Sequence, residues 1–320
     1  MSVVSASPIS VREDEPFAHP ALFYRGLPEF LAGTVPFIEE GLANGEPVAV
    51  AVPGDRLAPL RAELAGAQAR VQLLDMSQVG RNPGRILPAV LLAFAEAHPE
   101  ADRVRIIGEP IWLGRSEAEY PACVQHEALI NMAFAGRAVE ILCPYDVDAL
   151  PPSVLADAEL THPVVVQDGV SRVSASFAPD LALADHNRPF PEPTRPPIAL
   201  PIDAARLTEA RQLAEAEAYR AGLDPGRAAD FALAVNELVT NSIEHGGNRG
   251  SVRIWVEDGH LLAEVRDAGR WRDPLAGRRP VDPEQRRGRG LLLINHLVDL
   301  VRVHQADNGS ATRIYLRTHS

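Results

Sequence analysis

Apolar positions in the first half of the chain switch repeatedly between helical and strand-like spacing. From Gly26 to Asn44 they recur at helical intervals, with Phe30, Phe37, Ile38 and Leu42 on one face. Val48 to Val52 is a short unbroken apolar run, as in strands buried on both faces. The alternation continues with a helix near 57–69, a strand at 71–74, a helix over about 83–97 and a strand at 104–107. A helix over 117–135 and a strand at 139–142 follow. Strand alternating with helix predicts an α/β domain with a mostly parallel sheet, spanning 17–166.

The pattern breaks over 167–197, where Pro179, Pro189, Pro191, Pro193, Pro196 and Pro197 are closely spaced. That composition predicts a semi-extended linker and a domain boundary. A second domain over 198–320 opens with a helix at 203–221, ended by Gly222 and Pro225, then a helix at 226–245 that stops at Gly246-Gly247. Strands at 252–257 and 261–266 flank Asp258-Gly259, a strong hairpin signal. An arginine-rich loop, a helix at 290–301 and strands near 301–304 and 311–317 close the chain.

Composition narrows this picture. A length of 320 residues suits two domains, each large enough for its own core. No apolar run approaches a membrane span. Residues 1–16, with Glu13, Asp14 and Glu15 and no apolar centre, read as a disordered tail and not a signal peptide, so cytoplasmic residence is expected. The net charge of −12 is uneven: residues 1–165 hold 22 acids and 11 arginines, residues 198–320 hold 17 of each. An acidic first half argues against nucleic-acid binding there. The chain has no lysine, which excludes a lysine-bearing P-loop and any lysine Schiff base. Cys123 and Cys143 fit a reduced compartment and cannot alone make a structural zinc site.

Three pieces of the second domain carry chemistry. On the helix at 226–245, Phe231, Ala234, Val235, Leu238, Val239 and Ser242 make the buried stripe, while Glu237 and Asn241 stack four residues apart on another face. A carboxylate beside a carboxamide suits a Mg ion and an oriented water or hydroxyl; a solvated face is the simpler account of the pair alone. Asp267-Ala268-Gly269 lies where a strand ends, so an acceptor-only carboxylate there suits the exocyclic amine of adenine; in isolation it is only a turn. Gly288-Arg289-Gly290 precedes an apolar helix, whose first N–H groups attract phosphate. Between these pieces, residues 266–289 hold eight of the 31 basic residues, a density that suggests a lid over polyphosphate.

Taken in order, these pieces resemble the Bergerat ATP-binding fold of gyrase, histidine kinases and MutL, and within it the anti-sigma-factor serine kinases. Glu237-Leu-Val-Thr-Asn241-Ser-Ile-Glu-His245-Gly is similar to that family's N box, Asp267-Ala-Gly269 to its first glycine box and Gly288-Arg-Gly290-Leu291 to its second. Gly309 to Arg313 resembles its closing strand and places Thr312 near the adenine. The resemblance implies an α/β sandwich that binds ATP and Mg, with Asn241 on the metal and Glu237 as general base. It implies nucleotide contacts from His245, Asp267, Gly269, Arg287, Gly288, Arg289, Gly290, Leu291 and Thr312. Arg270 and Trp271 depart from the small residues many relatives carry there. The implied partners are a STAS-domain antagonist, whose serine or threonine is phosphorylated, and a sigma factor; a homodimer is also in keeping with the family. A sensor histidine kinase needs a phospho-accepting histidine just ahead of the ATP domain, and none lies between His186 and His245. A non-catalytic ATP-binding module stays open as the second reading.

In the first domain, the stretch Phe37 to Val50 resembles a helix-to-strand unit of KaiC-like and RecA-like ATPases, without their P-loop. His19 with Tyr24, Gly108-Glu-Pro-Ile-Trp112, Gly114-Arg115-Ser116, His126-Glu127 with Asn131, and Cys143-Pro-Tyr145-Asp146 resemble the MEDS sensory domain. That likeness implies a small-molecule ligand, with His19, Tyr24, Glu109, Trp112, Arg115, His126, Glu127, Tyr145 and Asp146 as candidate contacts at strand ends. Core hydrogen bonds and ion pairs explain the same residues equally well. His19, His126 and His162 could make a metal site, but their isolated spacing favours ordinary histidines; Cys143 could be a redox sensor, but its place after an apolar strand favours a buried, inert thiol.

Overall fold

A computed structural model describes residues 16–247, 250–280 and 289–318. It divides into two compact units: residues up to Arg81 with Ile86–His186, and Asn82–Arg85 with the chain from Asn187 onward. Among the described residues, no helix is long and apolar enough to cross a membrane.

The first unit runs β1 (Phe17–Ala18), β2 (Pro20–Tyr24), α1 (Gly26–Ala43), β3 (Val48–Val52), α2 (Gly54–Leu64) and β4 (Val71–Asp75). Short helices α3 (Met76–Val79), α4 (Pro83–Ile86, of which Pro83–Arg85 group with the second unit) and α5 (Leu92–Glu96) lead to β5 (Val104–Gly108). Then come α6 (Tyr120–Ala133), β6 (Val139–Asp146), α7 (Pro152–Thr161), β7 (Val164–Gln167), β8 (Val170–Val173) and α8 (Pro179–Asp185). The strand order is β4-β3-β5-β6-β2-β7-β8, with β1 also on β6. Every pairing is parallel except β7 with β8. Strands β2, β3 and β5 are buried along their whole length, as the apolar runs require. Because β2, β3, β5 and β6 are parallel, their C-terminal ends share one edge of the sheet.

The second unit contains β9 (Ile198–Ile202), α9 (Leu207–Arg220), α10 (Pro225–His245), β10 (Gly250–Glu257), β11 (His260–Asp267), α11 (Gly290–Leu297), β12 (Leu300–Ala306) and β13 (Gly309–Arg317). Its sheet is antiparallel throughout, in the order β12-β13-β11-β10-β9. Asp258 and Gly259 both have positive φ (47° and 69°), the conformation a two-residue hairpin turn demands. One sheet face packs under the helices, where Phe231, Val235 and Leu238 of α10 meet Val252, Ala263, Val265 and Ile314. Ala210, Ala214 and Ala218, four apart on α9, are buried in the same core. The result is an α/β sandwich.

The expected linker over 167–197 needs correction. Val170–Val173 is a strand and Pro179–Asp185 a helix, both in the first unit. Residues from 187 on lack helix and strand until Ile198, yet they cover the outer sheet face of the second unit. The Pro191 carbonyl accepts from Arg313 at 2.8 Å, and Glu192 bonds Arg253 and Arg266 at 2.6 and 2.8 Å. The Phe190 ring lies 4.7 Å from the Arg313 guanidinium. The sequence pattern also passed over β1, β2, α7, β7 and the edge strand β9.

Candidate functional site

Helix α10 begins with Asp224 as N-cap, its carboxylate accepting from the N–H groups of Gly226 and Arg227 at 2.9 and 3.1 Å, with Pro225 at the first helical position. Its apolar stripe is buried against the sheet, which turns Glu237 and Asn241 toward a cavity of about 560 Å³. Glu237, Asn241, His245, Asp267, Gly269, Arg289, Gly290, Leu291 and Thr312 all line that cavity. Arg287 and Gly288 lie outside the described residues.

Asp267 ends β11 opposite Ser310 of β13. Its Oδ1 accepts from the Gly269 N–H at 2.8 Å and the Ser310 hydroxyl at 3.1 Å, which fixes the carboxylate at the cavity wall. Thr312, buried on β13, pairs in register with Val265, two residues before Asp267. On the other side, a Cβ at Gly290 would stand 2.8 Å from Glu237 Oε2 and 3.5 Å from Asn241 Nδ2. A side chain at 290 would have to push the Glu237 carboxylate aside, so glycine keeps the start of α11 against the Glu237–Asn241 pair. Among the described residues the buried Asn241 Nδ2 has no hydrogen-bond partner, and a donor left so is expensive unless a ligand answers it.

Among the described residues of the arginine-rich stretch, two side chains are held on other parts of the second unit. Arg266 faces away, bonding Glu264 and Glu192 on the outer sheet face. Arg270 donates to the Asp307 carbonyl at 3.1 Å, and the Trp271 N–H to Gln305 Oε1 at 2.8 Å, so this departure from the small-residue pattern ties the segment to the β12–β13 hairpin.

In the first unit, the nine candidate residues fall into separate groups. Tyr24, Glu109 and Asp146 sit at the ends of β2, β5 and β6, joined by Arg56 from α2. Tyr24 OH donates to Glu109 Oε1 at 3.1 Å and Arg56 Nη2 to Asp146 Oδ2 at 3.1 Å. Burial pushes the Glu109 carboxyl up to about 8, although Arg56 and Tyr24 act against that rise. Glu109 Oε2 has no partner in the protein. His19, Glu127 and Tyr145 form a second, fully buried group with Cys143 and His162. Arg115 is committed elsewhere: it stacks on Trp112 at 3.8 Å and donates to the carbonyls of Gly80, Arg81 and Pro110 at 2.7, 2.7 and 2.9 Å. Its guanidinium organises the surrounding backbone. His126 is buried on α6. A larger open groove of about 730 Å³, lined by Phe23, Arg25, Leu155 and Arg172, contains none of the nine.

Residues 18–163 match the family model of the methanogen/methylotroph DcmR sensory domain, abbreviated MEDS, and residues 200–316 match that of the histidine kinase-like ATPase domain. The chain joins a MEDS domain to a histidine kinase-like ATPase domain. Among solved structures, the RsbU and RsbW domains of a Mycobacterium tuberculosis protein are similar to this chain at 23% identity and a TM-score of 0.30. That match covers 38% of this chain, which spans about a third (32%) of the matched chain. The histidine kinase AdeS of Acinetobacter baumannii is similar at 12% identity and a TM-score of 0.24, over 62% of this chain and 96% of that one.

The cavity of the ATPase domain fits a nucleotide with a divalent cation. Its donor set is carboxylate, carboxamide and hydroxyl, the hard oxygen ligands that Mg prefers. The glycine approach at Gly290 and the orphaned Asn241 amide leave room and hydrogen-bonding capacity for phosphate. In the MEDS domain, sequence reasoning missed Arg56. Arg56 lies four residues past Val52, the end of β3, a position that parallel-strand topology marks as facing the same edge.

Proposed function

We propose that the chain is a regulatory ATP-dependent protein kinase of the anti-sigma-factor type, in which the MEDS domain senses a small molecule. The observation that carries the reading is the meeting of Glu237 and Asn241 with Gly290 across the cavity whose far wall is Asp267 and Thr312. Asp267 accepts the adenine amine, and the first N–H groups of α11 receive phosphate oxygens. Asn241 would hold Mg, whose charge neutralises those oxygens. Glu237 takes the proton of an incoming serine or threonine hydroxyl as its oxygen bonds the γ-phosphorus and ADP leaves. The acceptor is a STAS-domain antagonist, and a sigma factor is the second partner.

The test uses the full chain with γ-labelled ATP and candidate STAS proteins. Asn241→Ala should abolish Mg-ATP binding. Glu237→Ala should slow transfer by about 10²- to 10⁴-fold at unchanged ATP affinity. Label on the partner should survive acid, as a phosphoserine or phosphothreonine does. Tight ATP binding with no transfer to any STAS partner would leave a non-catalytic ATP-binding module, and acid-labile label on the chain itself would mean a histidine kinase. Unchanged turnover in Glu237→Ala removes that residue as base.

A further inference from the structure

Four metal-ligating side chains from distant parts of the MEDS domain meet in its interior. His19 lies between β1 and β2, Glu127 on α6, Cys143 in β6 and His162 between α7 and β7. None is more than 1% exposed. One ligand atom from each lies within 4.8 Å of all the others. Glu127 Oε2 stands 3.3 Å from His19 Nε2, 3.5 Å from His162 Nε2 and 3.5 Å from Cys143 Sγ; Cys143 Sγ is 3.4 Å from His19 Nε2. Bonds of about 2.0–2.3 Å at tetrahedral angles separate ligand atoms by about 3.3–3.7 Å. The four measured separations fall in that range.

The surroundings fix which atoms face inward. Asn131 spends its amide N–H on the Thr161 carbonyl at 2.8 Å, so its Oδ1, 3.1 Å from His19 Nδ1, must accept and that nitrogen carries the proton. His162 Nδ1 donates to the Ala158 carbonyl at 2.8 Å. Both imidazoles therefore turn an Nε2 lone pair toward the same carboxylate oxygen, and His162 Nε2 has no hydrogen-bond partner in the protein. Tyr145 OH donates to the other carboxylate oxygen, Oε1, at 3.2 Å and leaves Oε2 for the centre. Two lone pairs and a carboxylate oxygen converging in a buried interior repel one another unless a cation sits among them. Histidine nitrogens tied to a carbonyl and an amide oxygen, and a carboxylate tied to a phenol, are the outer partners that orient metal ligands.

We propose that His19, Glu127, Cys143 and His162 form a closed, four-coordinate site for a divalent metal of the zinc class inside the MEDS domain. The N₂OS donor set suits a borderline-soft first-row ion and not Mg or Ca. With four protein ligands and no exposed face, the site is structural, clamping β2, β6 and β7 to α6. Binding forms a sulfur–metal bond as the Cys143 thiol gives its proton to solvent. This site corrects the sequence reading of His19 and His162 as ordinary histidines and of Cys143 as inert, and it is independent of the kinase proposal.

The full chain, purified without chelator, should carry one zinc per chain by elemental analysis. After stripping, one equivalent of Co²⁺ should give tetrahedral visible bands and a sulfur-to-cobalt charge-transfer band, and one equivalent of Zn²⁺ should displace it and restore the melting temperature. Cys143→Ser should lose the charge-transfer band and bind at least about 10-fold more weakly, while Cys123→Ser keeps both. Wild-type protein that holds no zinc and takes up no cobalt overturns the site in favour of a protonated histidine–carboxylate cluster. Uptake without the thiolate band, or unchanged in Cys143→Ser, overturns it as well; neither wild-type reading depends on a variant folding.

Discussion

Glu109 sets charge against burial. It is 2% exposed at the end of β5, with one oxygen bonded to Tyr24 and the other bare. Its carboxyl is raised from 4.5 to about 8, so the folded protein holds a proton that the unfolded chain releases. That contribution to stability is complete below about 4.5 and is lost as pH rises through about 8. An ordinary histidine changes charge near 6.5, so 6.5 to 8 is the window in which the Glu109 carboxyl is best read. Across it, urea denaturation should show the MEDS domain losing up to about 2 kcal/mol as pH rises. Glu109→Gln should flatten that slope; a slope identical to wild type would mean that Glu109 is ionised throughout. A raised carboxyl with a free oxygen at a strand-end cluster is also where a polar ligand would be read.

At the scale of elements, the outer face of the second sheet is held by a buried charge. Glu264 on β11 is 0% exposed and bonds Arg253 on β10 at 2.5 Å, Arg313 on β13 at 2.6 Å and its own neighbour Arg266 at 2.5 Å. Burial disfavours its ionisation, but the guanidiniums hold its carboxyl below the usual range. Glu264→Ala leaves those arginines without their shared partner and should cost about 3–5 kcal/mol in denaturation of the ATPase domain. A loss under about 1 kcal/mol would show the network to be a solvated surface cluster. None of this was legible beforehand, because only the pairing of β10, β11 and β13 brings Arg253, Glu264 and Arg313 together, and the covering segment reads as a proline-rich linker. The hairpin at Asp258-Gly259, the buried stripe of α10 and the parallel strands at 48–52 and 104–107 were legible, since each is encoded by neighbours in sequence. So was the grouping of the described ATPase-cavity residues, which four local motifs supply. Strand β9 escaped because Pro201 and the prolines before it mask a five-residue edge strand. The group of His19, Glu127, Cys143 and His162 escaped for a different reason: 143 positions separate its ends, and only the placing of β2 between β6 and β7 brings them together.

For the molecule as a whole, two domains with separate cores must exchange information if the proposed sensing is real. The acidic surplus sits in residues 1–165, with 22 acids against 11 arginines, while residues 198–320 balance at 17 each. Net charge alone therefore gives the ATPase domain no bias, and control has to come from states that differ in free energy. Such coupling is reciprocal: an effector that changes Mg-ATP affinity by some factor must itself bind more tightly or weakly by the same factor when Mg-ATP is present. A thermal-shift screen on the full chain should yield small molecules that stabilise the MEDS domain. Calorimetric titration of Mg-ATP with and without such a compound should reveal a change of about 5- to 150-fold, equivalent to about 1–3 kcal/mol, and the reverse titration should return the same factor. Glu109→Gln should weaken the effector's influence while leaving Mg-ATP affinity in its absence unchanged, because Glu109 lies outside the nucleotide cavity. Equal Mg-ATP affinity with every compound that stabilises the MEDS domain would reduce the chain to two independent modules on one polypeptide.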